Sequence, residues 1–246
     1  VESRGLGDVY KRQMHTHTIA SGHAFATLTE MCKSAADKGL QLYGITEHTS
    51  GIPGTCADIY FNNISVIPRD LFGLDLMIGA EINIRDYNGT LDLPEDLIKK
   101  LDFAIAGIHH HCYAHGNIDE NTSAVISAIK NPYVNIISHP DDGRCPLDYE
   151  DVVKAAKENH VLLEINNNAL RDANRLNVPD NQRKIIELCK KNSHPFIMGS
   201  DAHFTTDIAN YDRCAPIVES MDVPDELIMN YYPERIKTFI REKRQL

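Results

Sequence analysis

Six stretches of this chain place a histidine, an aspartate or a glutamate directly after a run that reads as a buried strand, and this recurrence limits what the chain can fold into. They are Met14-His15-Thr16-His17, Thr46-Glu47-His48, Gly79-Ala80-Glu81, Gly107-Ile108-His109, Ser138-His139-Pro140 and Ser200-Asp201-Ala202-His203. When strands run parallel and are joined by helices, their C-terminal ends converge on one mouth, where the chain leaves as loops. Ligand-type residues repeated at those ends therefore predict one shared site. A lone histidine after a strand is most often a structural hydrogen-bonding residue, and a lone H-x-H is often a surface accident. Recurrence at six ends favours the shared site over the sum of such accidents.

The intervening sequence supplies the helices and turns such a fold requires. Thr27 and Glu30 form a T-x-x-E capping box before Leu28, Met31, Cys32 and Ala35 at helical spacing, and Gly39 ends that helix. Strands are expected at 40–46, 74–80, 102–108, 134–138, 161–165 and 196–199, besides the one that delivers His15 and His17. Asn88-Gly89 marks a tight hairpin turn. Helices are expected at 94–101, led by Pro94, and at 122–130, 148–159 and 180–191. From Thr206 onward the chain reads as helices broken near Pro216, Pro224 and Pro233. Seven strands alternating with helices or loops predict a parallel α/β sheet or barrel, and no linker or repeat divides it.

Residues 1–13 show no strand alternation and read as an adapter-like extension, so the domain is expected to span 14–246. Lys11-Arg12-Gln13 then stands where a buried strand calls for apolar side chains, which predicts a short or frayed first strand.

Thirty-five acidic residues against 25 basic ones give a formal charge of −10, which argues against a surface built to coat nucleic acid. The six cysteines form no C-x-x-C pair, so reduced thiols are expected rather than a disulfide framework. Cys32 and Cys189 fall at apolar helix positions as small core residues, and Cys112 and Cys145, near the candidate loops, are read as structural too. With neither a membrane-length apolar run nor a signal-peptide h-region, a cytoplasmic protein is expected.

Imidazole and carboxylate donors without paired thiolates suit Zn, Mn or Fe better than Mg or Ca. Nine candidate ligands are His15, His17, His23, His48, Glu81, His109, His139, Asp201 and His203, more than one ion can hold. Two or three divalent ions are implied, with the Glu81 carboxylate able to bridge.

The ordered set from His15-x-His17 through Thr46-Glu47-His48, Glu81, His109 and Ser138-His139-Pro140 to Ser200-Asp201-x-His203 resembles the PHP (polymerase and histidinol phosphatase) superfamily, closest to its YcdX-type phosphatases. Ile82-Asn83-Ile84 with the Asn88-Gly89 hairpin, and Leu163-Glu164-Ile165-Asn166-Asn167, add to the likeness, which runs from about residue 14 to the C-terminus. The resemblance implies a distorted seven-stranded, TIM-like βα barrel with a trinuclear metal centre. By that resemblance His15, His17, Glu81 and Asp201 would hold one ion; Glu81, His109 and His139 a second; His23, His48 and His203 a third. The triplet His109-His110-His111 departs from the single histidine of the pattern; His109 is the expected ligand because it directly follows the strand.

Metal-dependent hydrolysis of a small phosphate ester is the expected reaction, with a metal-bound hydroxide attacking phosphorus and no protein nucleophile. No P-loop or G-x-S-x-G stands in the chain to suggest otherwise. His111 is the candidate proton donor to the leaving group, with His115 better read as a surface residue. Arg144 and Arg171, in loops after the fifth and sixth strands, are candidates to grip the phosphate. A dedicated histidinol-phosphate phosphatase is the nearest alternative, and a noncatalytic metal-binding or regulatory module is the alternative from another class. An amidohydrolase barrel also opens with H-x-H, but its bridging Lys is absent. A nuclease role fits the acidic charge poorly, and no membrane or long nucleic-acid partner is expected.

Overall fold

The computed structural model describes residues 6–245. Along the chain come a 3-10 turn (Leu6–Lys11), β1 (Arg12–Gln13), α1 (Leu28–Asp37), β2 (Leu42–His48), α2 (Ile59–Asn62), β3 (Asp70–Leu71), β4 (Leu74–Asn83) and α3 (Glu95–Ile98). There follow β5 (Phe103–Gly107), α4 (Ile118–Lys130), β6 (Ile136–Ile137), α5 (Tyr149–Glu158), β7 (Leu162–Asn166), α6 (Val178–Lys191), β8 (Ile197–Gly199), α7 (Cys214–Glu219) and α8 (Pro233–Lys243).

The sheet order is β1-β2-β4-β5-β6-β7-β8, with every neighbouring pair parallel and β3 added antiparallel to β4. The two edges meet through a single parallel bridge between Thr16 and Ala202, where the His17 N–H donates to the Ala202 carbonyl at 2.9 Å. The nearly closed seven-stranded α/β barrel is thus joined between the two motifs that end its first and last strands.

Strand parity explains how an apolar barrel carries a polar mouth. Side chains two apart share a face, and the inward face of several strands climbs from a large apolar residue through glycine to a ligand type. Met77, Gly79 and Glu81 follow this order, as do Ile105, Gly107 and His109, and Ile197, Gly199 and Asp201. The glycine layer makes room: a Cβ on Gly79 would stand 2.7 Å from the Phe103 carbonyl oxygen, and one on Gly44 would stand 2.9 Å from the Phe103 ring. Leu42, Met77, Phe103, Ile105, Ile136, Leu162 and Ile197 fill the barrel floor, which α8 seals from below with Ile236, Phe239 and Ile240. Tyr43, Ile45, Ile78, Ala104, Leu163 and Met198 point the other way, into the larger core beneath the surrounding helices.

Several boundaries differ from the sequence expectation. β2 and β4 run on to His48 and Asn83, so Glu47, His48 and Glu81 lie within strands rather than after them. The helix expected at 122–130 starts at Ile118, behind an Asn117–Glu120 capping box that a Ser/Thr-first reading passes over. The helix expected at 94–101 shrinks to Glu95–Ile98, and α7 carries Pro216 in its first turn rather than being broken by it. The Asn88-Gly89 turn is present, with Ile84 bridged to Leu91 across it and Gly89 at φ 75°. The edge strand β3 and the short α2 carry no periodic signal long enough to have been expected.

β1 is two residues long and lies inside the segment read as an extension, of which residues 1–5 are outside the described range. Both Arg12 and Gln13 are buried. A polar strand is tolerated here because its side chains find partners: Gln13 hydrogen-bonds the Ser200 hydroxyl and accepts from the His15 N–H at 3.0 Å, and Arg12 reaches Gln41. Among the described residues no helix is long and apolar enough to cross a membrane.

Candidate metal centre

All nine candidate ligands gather at the barrel mouth around Glu81, whose side chain is fully buried. One carboxylate oxygen, Oε2, lies 3.1 Å from His15 Nε2, 3.3 Å from His17 Nε2 and 3.1 Å from His48 Nδ1. The other, Oε1, lies 2.9 Å from His139 Nε2 and 3.3 Å from His109 Nε2. Asp201 Oδ1 completes the inner group at 3.4 Å from His15 and 3.2 Å from His17. At the outer rim His23 and His203 meet Nε2 to Nε2 at 2.9 Å, next to the rings of His17 and His48.

Three sets of donors lie close enough to surround an ion: His15, His17, Glu81 and Asp201; His48, Glu81 and His109; and His17, His48 and His203. The first coincides with the set the sequence resemblance implied; the second has His48 where the resemblance put His139, and the third has His17 where it put His23. His48 turns Nδ1 toward Glu81, and so stands between the second and third groups.

Backbone geometry aims two of the ligands. His139 and Asp201 hold φ of 31° and 51°, values that non-glycine residues rarely adopt. In each case the positive φ comes just past the end of the strand, at a residue whose side chain faces the cluster.

Hydrogen bonds on the far side of the rings decide which nitrogens face inward. His15 Nδ1 meets the buried Glu164 carboxylate at 2.8 Å, so it carries the proton and Nε2 is the free donor atom. His23 and His203 donate from Nδ1 to the carbonyls of Ser21 and Asp201, which frees their Nε2 atoms likewise. Free nitrogens then point at one another and at buried carboxylate oxygens. Glu81 Oε2, Asp201 Oδ1, His48 Nδ1 and both nitrogens of His109 are buried without a hydrogen bond. Such a set is expensive unless a cation neutralises it, and nitrogen with oxygen donors suits divalent ions.

The buried carboxylates and imidazoles shift one another's proton affinities. Burial pulls the His15 imidazole down, but the Glu164, Glu81 and Asp201 carboxylates outweigh it and hold the ring well above its usual value. His17 is likewise pulled down by burial and raised by Asp201 and Glu81, to about 9. Burial opposes ionisation of Glu81 and Asp201, yet the surrounding imidazoles, His15 foremost, keep both well below the carboxylate range. Burial and the His17 charge push His48 well down and His203 to about 4, leaving both neutral.

Beside the cluster lies a cleft of about 360 Å³, lined by histidines including His23, His48, His109 and His139 and by Arg144, Arg171 and Arg175. A more enclosed lobe of about 40 Å³, lined by Ile84, Val125 and Leu147, shares His109, His139 and Arg175 with it. The model of the PHP domain matches residues 13–168, more than half of the chain. The chain belongs to the PHP domain family. Similar proteins include a probable phosphatase of Clostridium novyi, 43% identical over 237 residues, covering 96% of this chain and 97% of the relative. Another, of Caldicellulosiruptor saccharolyticus, is 45% identical over 231 residues, covering 93% and 95%. Among solved structures, the histidinol phosphate phosphatase of Lactococcus lactis, complexed with zinc, L-histidinol and phosphate, superposes with a TM-score of 0.62. It shares 15% identity over 87% of this chain and 95% of its own, a likeness of fold alone.

Within this PHP barrel the two arginines singled out from sequence are already engaged. Arg144 grips Asp142 through Nε and Nη2 at 2.9 and 2.6 Å, and the exposed Arg171 reaches Asp207 at 3.1 Å. Arg175, which the sequence reading passed over, has only 13% of its side chain exposed, and its Nε and Nη1 are buried without a hydrogen bond. Asp142 and Asp172 stand 3.8 Å from its Nε, near enough to orient it without using its donors. His110 and His111 are exposed in the cleft wall, their rings tilted by 37° with centroids 3.8 Å apart, and His115 edges the smaller lobe. The six cysteines are free; burial pushes Cys145 up to about 12 and Cys112 up to about 11, so neither offers a thiolate.

Glu164 and Glu47 were also passed over as supports of the cluster. No spacing rule marks a carboxylate that binds a ligand's far side; only the fold brings Glu164 under His15.

Proposed function

We propose that this PHP domain, residues 14–246 with β1 ahead of them, hydrolyses small phosphate monoesters with two or three divalent ions held by the nine ligands. The observation that carries the reading is Glu81: a buried carboxylate whose two oxygens face separate groups of imidazoles at the base of an arginine-lined cleft. His15, His17 and Asp201 would share an ion with one oxygen, His109 and His139 a second ion with the other. His23, His48 and His203 would close the outer position. Zinc, manganese and iron all suit this donor set. When divalent ions are bound, the chemistry they supply is water activation and neutralisation of charge at phosphorus.

The protein's own groups do the rest. Arg175 lines the cleft, its Nε and Nη1 lack hydrogen-bond partners, and it is the group we assign to the substrate phosphate, ahead of Arg144 and Arg171. A forked guanidinium matches two phosphate oxygens at once. His111, in the cleft wall, is assigned to protonating the leaving oxygen. The named phosphatase relatives, which match the chain over nearly its whole length, support this class of reaction.

The test is metal analysis of the purified protein together with turnover on a panel of phosphomonoesters that includes histidinol phosphate, for wild type and Glu81→Ala. Loss of both bound metal and hydrolysis is expected for Glu81→Ala. Hydrolysis that survives the substitution would refute the mechanism. Turnover confined to histidinol phosphate would point to the dedicated biosynthetic enzyme, and bound metal with no turnover on any ester to a noncatalytic module.

A further inference from the structure

Glu47 sits beside a candidate ligand in Thr46-Glu47-His48, is fully buried, and among the described residues belongs to none of the donor groups that could surround an ion. Its Oε1 accepts the Thr18 hydroxyl at 2.6 Å; its Oε2 accepts the Ser21 hydroxyl at 2.6 Å and the Thr18 N–H at 3.1 Å. The Ser21 oxygen in turn meets His17 Nδ1 at 3.0 Å and the His48 N–H at 3.0 Å.

Counting protons gives these contacts a direction. An ionised carboxylate only accepts, and a serine hydroxyl has one proton to donate. With that proton on Glu47, Ser21 Oγ can only accept from His17 and from the His48 amide. His17 therefore carries its proton on Nδ1 and presents Nε2 to Glu81 and Asp201. The same loop delivers His23, whose Nδ1 donates to the Ser21 carbonyl at 3.0 Å. His15, the other histidine of the H-x-H pair, binds its carboxylate, Glu164, directly.

We propose that Glu47 is a positioning residue that acts through Ser21 to hold His17 in its metal-binding tautomer and to seat the loop of residues 18–23 over the cluster. This rests on the metal reading above. Partners that orient ligating histidines typically contribute 10- to 100-fold in metal affinity, by about that order in general.

The experiment measures Zn²⁺ affinity and stoichiometry by competition with a chromophoric chelator, and unfolding of the metal-stripped proteins. The set is wild type, Glu47→Gln, Ser21→Ala, Ser21→Thr and the double variant Glu47→Gln/Ser21→Ala. Glu47→Gln and Ser21→Ala should each weaken zinc binding by about 10- to 100-fold. The double variant should be little worse than either, because both cut one relay, and Ser21→Thr, which keeps the hydroxyl, should retain most of the affinity. Multiplying losses in the double variant, or zinc affinity unchanged while only the stripped protein loses stability, would overturn the relay. If Glu47→Gln does not fold, the Ser21 pair decides: equal zinc affinity in Ser21→Ala and Ser21→Thr overturns the proposal. Wild type that binds no zinc would instead remove the metal reading itself.

Discussion

Replacing Arg175 by methionine separates a functional cation from a structural one. Its Nε and Nη1 are buried without hydrogen bonds, and its carboxylate neighbours stand at 3.8 Å. Asp142 keeps its two-pronged contact with Arg144 when Arg175 is gone, and Asp172 is 39% exposed to water. The fully buried Asp141 carboxyl, raised to about 7 by burial against the opposing pull of Arg175, can take up a proton when that charge is removed, so stability should fall by only about 1 kcal/mol. Activity should respond differently. A charge-assisted hydrogen bond to phosphate is worth about 1.5–3 kcal/mol, which converts to a loss in kcat/KM of roughly 10- to 150-fold. Arg175→Lys should fall between, since it restores the charge but not the fork. Arg171→Ala, which gives up an exposed pair, should lose less than about fivefold. The assay is steady-state hydrolysis of a phosphomonoester at saturating metal, paired with inhibition by inorganic phosphate and a thermal unfolding scan. Normal kcat/KM and phosphate inhibition in Arg175→Met, with a large drop in unfolding temperature, would refute the reasoning and make Arg175 a packing residue.

Two further outcomes follow from parts of the molecule outside the cluster. His194 is buried, donates to the Val161 carbonyl at 2.9 Å, and is lowered to about 4, first by burial. Its folded value lies below the unfolded 6.5, so its contribution is present above pH 6.5 and is lost as pH falls toward 4. The loss approaches about 3 kcal/mol at its limit, and His194→Gln should flatten it in chelator-treated protein unfolded with urea at pH 7 and pH 5; equal acid sensitivity in the two proteins would count against it. Starting the chain at Met14 removes β1, the buried Val9 and the Arg12 carbonyl that accepts the Tyr211 hydroxyl at 2.8 Å. A buried donor left unpaired costs about 1–3 kcal/mol, so unfolding temperature and bound metal should both fall, and a truncated protein that matches the full chain in both would show the strand to be dispensable.

That the candidate ligands would gather in one place was legible because the barrel imposes a simple relation between chain order and space. A residue at or just past the C-terminal end of a parallel strand is delivered to the mouth whichever strand it belongs to, so His15, His48, Glu81, His109, His139 and Asp201 could be grouped although the structure carries two of the strands on through His48 and Glu81. The seven strands and most helix ends were visible for the same local reasons: apolar runs, capping boxes and turn residues. The capping box at Asn117 and the two-residue strands left weaker marks. Arg144 and Arg171 show the limit. Both follow strands, as Arg175 does, but strand order does not tell which arginine has a carboxylate at hand.

By itself, then, the sequence determined which chemistry gathers in this protein, since donor types and their places after strands are written in local order. Only the tertiary structure decided which nitrogens of His15, His23 and His203 face the centre, which of the three cleft arginines keeps donors without a hydrogen bond, and that Glu47 accepts from Thr18 and Ser21. Those outcomes depend on hydrogen bonds between residues far apart in the chain, such as His15 with Glu164 and Thr18 with Glu47. A proton's position on a ring is settled by the partner on its far side, and that partner exists only once the chain has folded.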